Sequence, residues 1–195
     1  RGTWKRSARN KSSRDMDLVQ NWIDDLHAAE KTGDLPRFTI MSLGEDHTSG
    51  TTPGAFTPEA CVGSNDLALG RVVEGLSRSR FWGEMAIFVN EDDPQTGGDH
   101  VDGHRSFCFV ISPWAKRGAV ISKFYNQTSV LHTMCRILGL QPLNQVVAAS
   151  PTMEDCFAEK ANLEPFQHLV PSTPLNEARP KPKPKTAGWL PTRTS

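Results

Sequence analysis

Three short apolar runs constrain this chain more than any other feature: residues 38–43 (FTIMSL), 85–90 (MAIFVN) and 106–112 (SFCFVIS). Each is continuous rather than alternating, the pattern of a strand covered on both faces. Helical periodicity separates them. From Asp17, residues Leu18, Trp22, Leu26 and Ala29 recur at helical spacing with Val19 and Ile23 beside them, until Gly33 and Pro36 stop the pattern. A second helix is expected from a cap at Ser64 or Asn65, with a stripe through Leu69, Val72, Val73 and Leu76. A third covers residues 127–138 through Val130, Leu131, Met134, Ile137 and Leu138 and ends at Gly139. This alternation predicts an α/β sandwich with a mostly parallel sheet.

At 195 residues the chain is long enough for one domain with a real core. Lys and Arg number 22, as do Asp and Glu, so no net charge draws it to nucleic acid or to an anionic membrane. No apolar run approaches the length of a membrane span. Residues 1–16 form a polar, basic lead-in, and residues 171–195 read as an extended tail in which Pro180, Pro182 and Pro184 alternate with Lys181, Lys183 and Lys185. The folded part is expected over residues 17–170. Cys61, Cys108, Cys135 and Cys156 show neither CxxC nor zinc-finger spacing. Cys108 and Cys135 read as small buried hydrophobes, and spacing leaves open whether any disulfide forms.

Chemistry concentrates beside the apolar runs, where open α/β sheets place their sites. Asp46-His47 follows the first run, Glu91-Asp92-Asp93 follows the second, and Asp99-His100 with His104 precedes the third. Adjacent carboxylates such as Asp92 and Asp93 repel unless a cation neutralises them. Mixed imidazole and carboxylate donors suit a divalent metal ion. Other candidates lose their partners: His27 and His132 lie on helices, His168 has no acid or cysteine near it in sequence, and Cys135 has no adjacent base.

The segments LGEDHTSGTTPG, SNDLALGRVVEGLSRSRFW and EDDPQTGGDHVDGHR, taken together, resemble the carboxy-terminal half of the bacterial phosphoesterase family, within the alkaline phosphatase-like superfamily that also holds phospholipase C-type and acid phosphatase enzymes. The form it resembles most often follows a beta-propeller region. The resemblance implies an α/β/α sandwich, here an incomplete carboxy-terminal portion, and metal-dependent hydrolysis of a phosphomonoester or phosphodiester. It implies metal ligands at Asp46, His47, Asp92, Asp93 and His104, with His100 as a ligand or as the group that serves the leaving group. The implied cofactors are divalent ions, among zinc, manganese, iron and calcium. The implied partners are a phosphate-ester substrate and an upstream half of the same protein, with a periplasmic or extracellular place. Nothing in residues 1–36 looks like the superfamily's strand-plus-nucleophile motif. Thr48, Ser49, Thr51 and Thr52 stand at the wrong place in the motif order, where hydroxyls serve local backbone bonds. The chain is therefore expected to be a fragment without the nucleophile half. The alternative is a non-catalytic metal-binding or interaction module derived from that fold.

Overall fold

The computed structural model of the chain describes residues 14–92, residue 94 and residues 104–181. Helix α1 spans Asp15–Thr32 and ends at Gly33, whose φ of 74° is the left-handed cap that a residue with a side chain resists. Helix α2 spans Pro58–Arg78. It starts nearly two turns before the expected cap, because Thr57 accepts a bond from the Ala60 amide and Pro58 occupies the first helical position. Ser64 and Asn65 are consequently helix-interior residues; Ser64 Oγ donates to Glu45 in the turn after residue 43, and Asn65 Nδ2 donates to Asp15 at the start of α1. The two helices pack through Val19, Leu26, Ala68, Val72 and Leu76. Full burial of a side chain such as Val19 or Leu26 contributes about 1.5–3 kcal/mol.

Two strands form the sheet of the described residues: β1, Ile87–Asn90, and β2, Cys108–Ile111. They pair antiparallel, with Ile87 opposite Ile111 and Asn90 opposite Cys108. The expectation of a mostly parallel sheet is corrected on this point. A parallel return needs a crossover, usually a helix, whereas residues 91–107 have no helical pattern and bring the chain back at the end it left. The run at 38–43 is the second correction, since it pairs with no strand among the described residues. Only Met41 and Leu43 reach the α1–α2 core, while Phe38 and Ile40 face outward, 51% and 74% exposed.

Ile87 belongs to the α1–α2 core, and its neighbour Phe88 faces a second core. That core gathers Val110, Met134, Tyr125 and Phe157 around Val130, Met153 and Cys156. Helix α3, Gln127–Leu138, has the expected span and ends as expected at left-handed Gly139; Asn126 caps its start. Helix α4, Gln145–Ala149, follows it. The described residues thus form a mixed α/β unit, the coarse class expected. No helix of the described residues is long and apolar enough to cross a membrane.

The final described segment has no regular structure but is tied along α2. Phe166 stacks edge-on against buried Trp82, its ring centroid 6.1 Å away, and its amide donates to Ser77 Oγ at 2.9 Å. Further on, Thr57 N donates to Glu177 O and Arg179 N to Ala55 O, with Phe56 bridging to Ala178. Residues 171–181, assigned by sequence to an extended tail, are thus bonded to the start of α2.

Candidate functional site

The antiparallel register sets the geometry of the acidic loop. Because Asn90 faces Cys108, the chain leaves β1 as Glu91-Asp92 and enters β2 through His104–Phe107 at one end of the sheet. Ser106 Oγ lies 3.4 Å from Glu91 Oε2 across this opening. Gln127, in the first turn of α3, donates through Nε2 to Asp92 O at 2.8 Å and to Glu91 O at 3.3 Å. Asp92 and His104 therefore sit at the same end of the sheet, and α3 starts beside them. Asp93 and His100 lie outside the described residues.

Asp46 and His47 occupy a different support. Thr48 N donates to Glu45 O at 2.9 Å, closing a turn in which Thr48 has a φ of 55°. His47 is exposed, with Nδ1 3.3 Å from Thr48 O. Thr48 Oγ1 accepts from Gly50 N at 3.1 Å, the local backbone role expected of a hydroxyl there.

Beneath the turn lies a network that the sequence did not announce. Asp15, 2% exposed, accepts from Gly44 N at 3.0 Å, Glu45 N at 2.9 Å and Asn65 Nδ2 at 3.0 Å. Glu45 Oε2 accepts from Asp15 N at 3.0 Å and Ser64 Oγ at 2.6 Å, while Oε1 pairs with Arg14 Nε. A buried carboxylate with three donors is satisfied rather than poised for acid–base work. These acids position the Asp46–His47 turn. Asp15 falls in the segment read from sequence as a polar lead-in, whereas it stands in the first turn of α1. Beside the network, burial and then the Glu45 carboxylate push the Cys61 thiol up, so it stays neutral and unreactive.

Among the described residues no three of His, Cys, Asp and Glu come together in a group able to hold a metal ion. Asp46, His47, Asp92 and His104 do not by themselves form a complete ligand set. A cleft of about 260 Å³ between Met85, Trp114, Ile137 and Phe157 opens where the chain enters β1, at the sheet end away from Asp92 and His104, and its lining is mostly apolar. Two further histidines have partners of their own. His132 Nδ1 lies 2.7 Å from Ser150 O, and His168 Nδ1 pairs with Glu74 Oε2. The partner of His168 is an acid 94 positions away, which local spacing could not reveal.

Comparison with known proteins decides the family. A model described as the Phosphoesterase family matches residues 2–141, most of the chain. The chain belongs to the phosphoesterase family. No curated protein and no solved structure matches it. For a phosphoesterase-family chain, the activity implied at family level is hydrolysis of phosphate esters. The match takes in α1, α2, both strands, α3 and every one of the six candidate site residues, and it stops before α4 and the segment that runs back along α2.

Proposed function

We propose that this phosphoesterase-family chain supplies part of an active site for metal-dependent hydrolysis of a phosphomonoester or phosphodiester, centred on the loop between β1 and β2. The observation that carries the reading is the sheet register, which puts the Asp92 and His104 segments at one end of the sheet with the start of α3 tied to them. Electrostatics then demands a cation. A phosphate ester carries negative charge, and Asp46, Asp92 and Asp93 would repel it without a countercharge. A divalent ion would supply that charge and polarise a phosphoryl oxygen. In this reading Asp46, His47, Asp92, Asp93 and His104 furnish oxygen and imidazole donors, and His100 delivers a proton to the leaving-group oxygen. The nucleophile comes from an upstream half of the same protein, outside this chain.

The alternative reading is a non-catalytic metal-binding or interaction module derived from the same fold. Hydrolysis of an aryl phosphate by the full-length protein, with the upstream half included, measured with manganese, zinc or calcium and again after chelation, separates the two. The catalytic reading expects turnover that chelator abolishes and that Asp92→Asn or His104→Ala lowers at least roughly tenfold. Metal binding without turnover favours the module. If calorimetry finds the same metal affinity in the parent, Asp92→Asn and His47→Ala, the ligand assignment is wrong under either reading.

A further inference from the structure

We infer that residues 162–181 are a strap that sets the position of the Asp46–His47 turn, with Arg14 and Arg179 as the positioning residues that join them. Most of this segment's ties are to parts of the molecule far from it in sequence, and it lies beyond the residues that the family match covers.

The strap is seated along the whole length of α2. At its far end Arg117 lies over the Phe166 ring, 4.3 Å from the centroid, and bonds to Asn162 O and Glu164 O. His168 follows, paired with Glu74 and lying so close to α2 that a Cβ on Gly70 would meet its Cβ at 3.1 Å. One heptad back along α2, a Cβ on Gly63 would meet Leu175 Cδ2 at 3.2 Å. Two glycines seven residues apart on a helix share a face, so Gly63 and Gly70 form the floor on which the strap lies. They also explain a helix that tolerates residues of low helical propensity at these two places.

The near end reaches the turn by two routes. Arg179 Nε donates to Gly50 O at 3.0 Å, and its backbone pairs with Gly54 and Ala55. Arg14 works from the other side. Its Nη1 donates to Leu175 O at 2.9 Å and Asn176 Oδ1 at 3.2 Å, its guanidinium lies 4.2 Å from the Phe56 ring centroid, and its Nε pairs with Glu45. Glu45 immediately precedes Asp46 and His47. One planar cation thus hydrogen-bonds the strap through Nη1 and ion-pairs with Glu45 through Nε, a span that a single lysine ammonium does not reproduce. A displacement of the strap withdraws the Nη1 partners of Arg14 and so loosens its ion pair with Glu45, while Asp15 and Ser64 keep their bonds to the other carboxylate oxygen.

The importance of this coupling for catalysis rests on the functional reading above; the coupling itself does not. Hydrogen exchange of the full chain tests it without any substrate or metal. Phe166→Ala loosens the strap at the end farthest from the turn, and Gly70→Leu lifts it from the helix. Both are expected to speed exchange about tenfold at the strap amides and equally at Gly44, Glu45 and Thr48, while the amides of α3 keep their rates. Arg14→Lys is expected to speed the turn amides and leave Phe166 and His168 protected. Arg179→Gln, an exposed change that removes only the Gly50 bond, gives the same reading where a harsher variant fails to fold. Strap amides that accelerate while the turn amides stay slow overturn the proposal. Absence of turnover in the full-length protein, with the upstream half included, counts against the functional reading and leaves this one standing.

Discussion

Thr48 and Asp15 show how differently two unusual residues weigh at the same turn. Thr48, β-branched, holds a φ of 55°, a conformation that costs about 1–2 kcal/mol. Replacement by glycine removes that strain but adds chain entropy and loses the bond to Gly50, so Thr48→Gly is expected to change stability by less than about 1 kcal/mol. Asp15→Ala leaves the amides of Gly44 and Glu45 and the Asn65 side chain without their acceptor in a buried place. Its expected cost is about 3 kcal/mol, read from the urea midpoint. Glu74 gives a pH prediction. The hydrogen bonds from His168, side chain and then backbone, hold its carboxyl below the usual value of 4.5, with Arg78 adding to the effect. The stabilisation is complete above that value and disappears as pH falls through the lower, folded one. Glu74→Gln should therefore flatten the acid limb of a plot of melting temperature against pH below about 4.5, and an unchanged limb would contradict the pairing. Neither Asp15 nor Glu74 stood out in the sequence, because each acts through a partner tens of positions away.

Among the elements, α3 was legible to the residue. Its apolar stripe and its Gly139 stop agree on one helix; the structure adds the Asn126 cap, and Asn126→Ala should cost about 1 kcal/mol in thermal melts. The start of α2 was not legible. Ser64 or Asn65 read as its cap, yet Thr57-Pro58 caps a helix that runs through them, and Thr57→Ala should cost a similar amount. Gly63 belongs there because Leu175 lies against it, a reason that no local pattern carries. The strand expected at residues 38–43 fails for the same kind of reason. A strand needs a neighbour, and a hydrophobic run records only the wish to be covered. The candidate loop was legible in its residue types and in its place beside the strands. Its relation to the sheet was not, since pairing direction is set by the connection and not by the runs themselves.

For the molecule as a whole, β1 is the joint. Ile87 feeds the α1–α2 core and the next residue, Phe88, feeds the core under α3. Two cores that share one four-residue strand cannot lose their packing separately without tearing that strand. Unfolding followed by tryptophan fluorescence and by far-ultraviolet circular dichroism should therefore coincide. Phe88→Ala is expected to lower both transitions together by about 3 kcal/mol, and separated transitions would show that the cores are independent.

The strap has a consequence for the order in which the molecule is completed. Arg14 and Leu175 are 161 positions apart, so the ribosome makes the first long before the second. At roughly 5–20 residues per second, the turn carrying Asp46 and His47 waits roughly 6–26 s for the contact that braces it. Helices α1 and α2 can pair during that interval with the floor of Gly63 and Gly70 bare. During synthesis, then, the turn stays unbraced until nearly all of the described chain has been made.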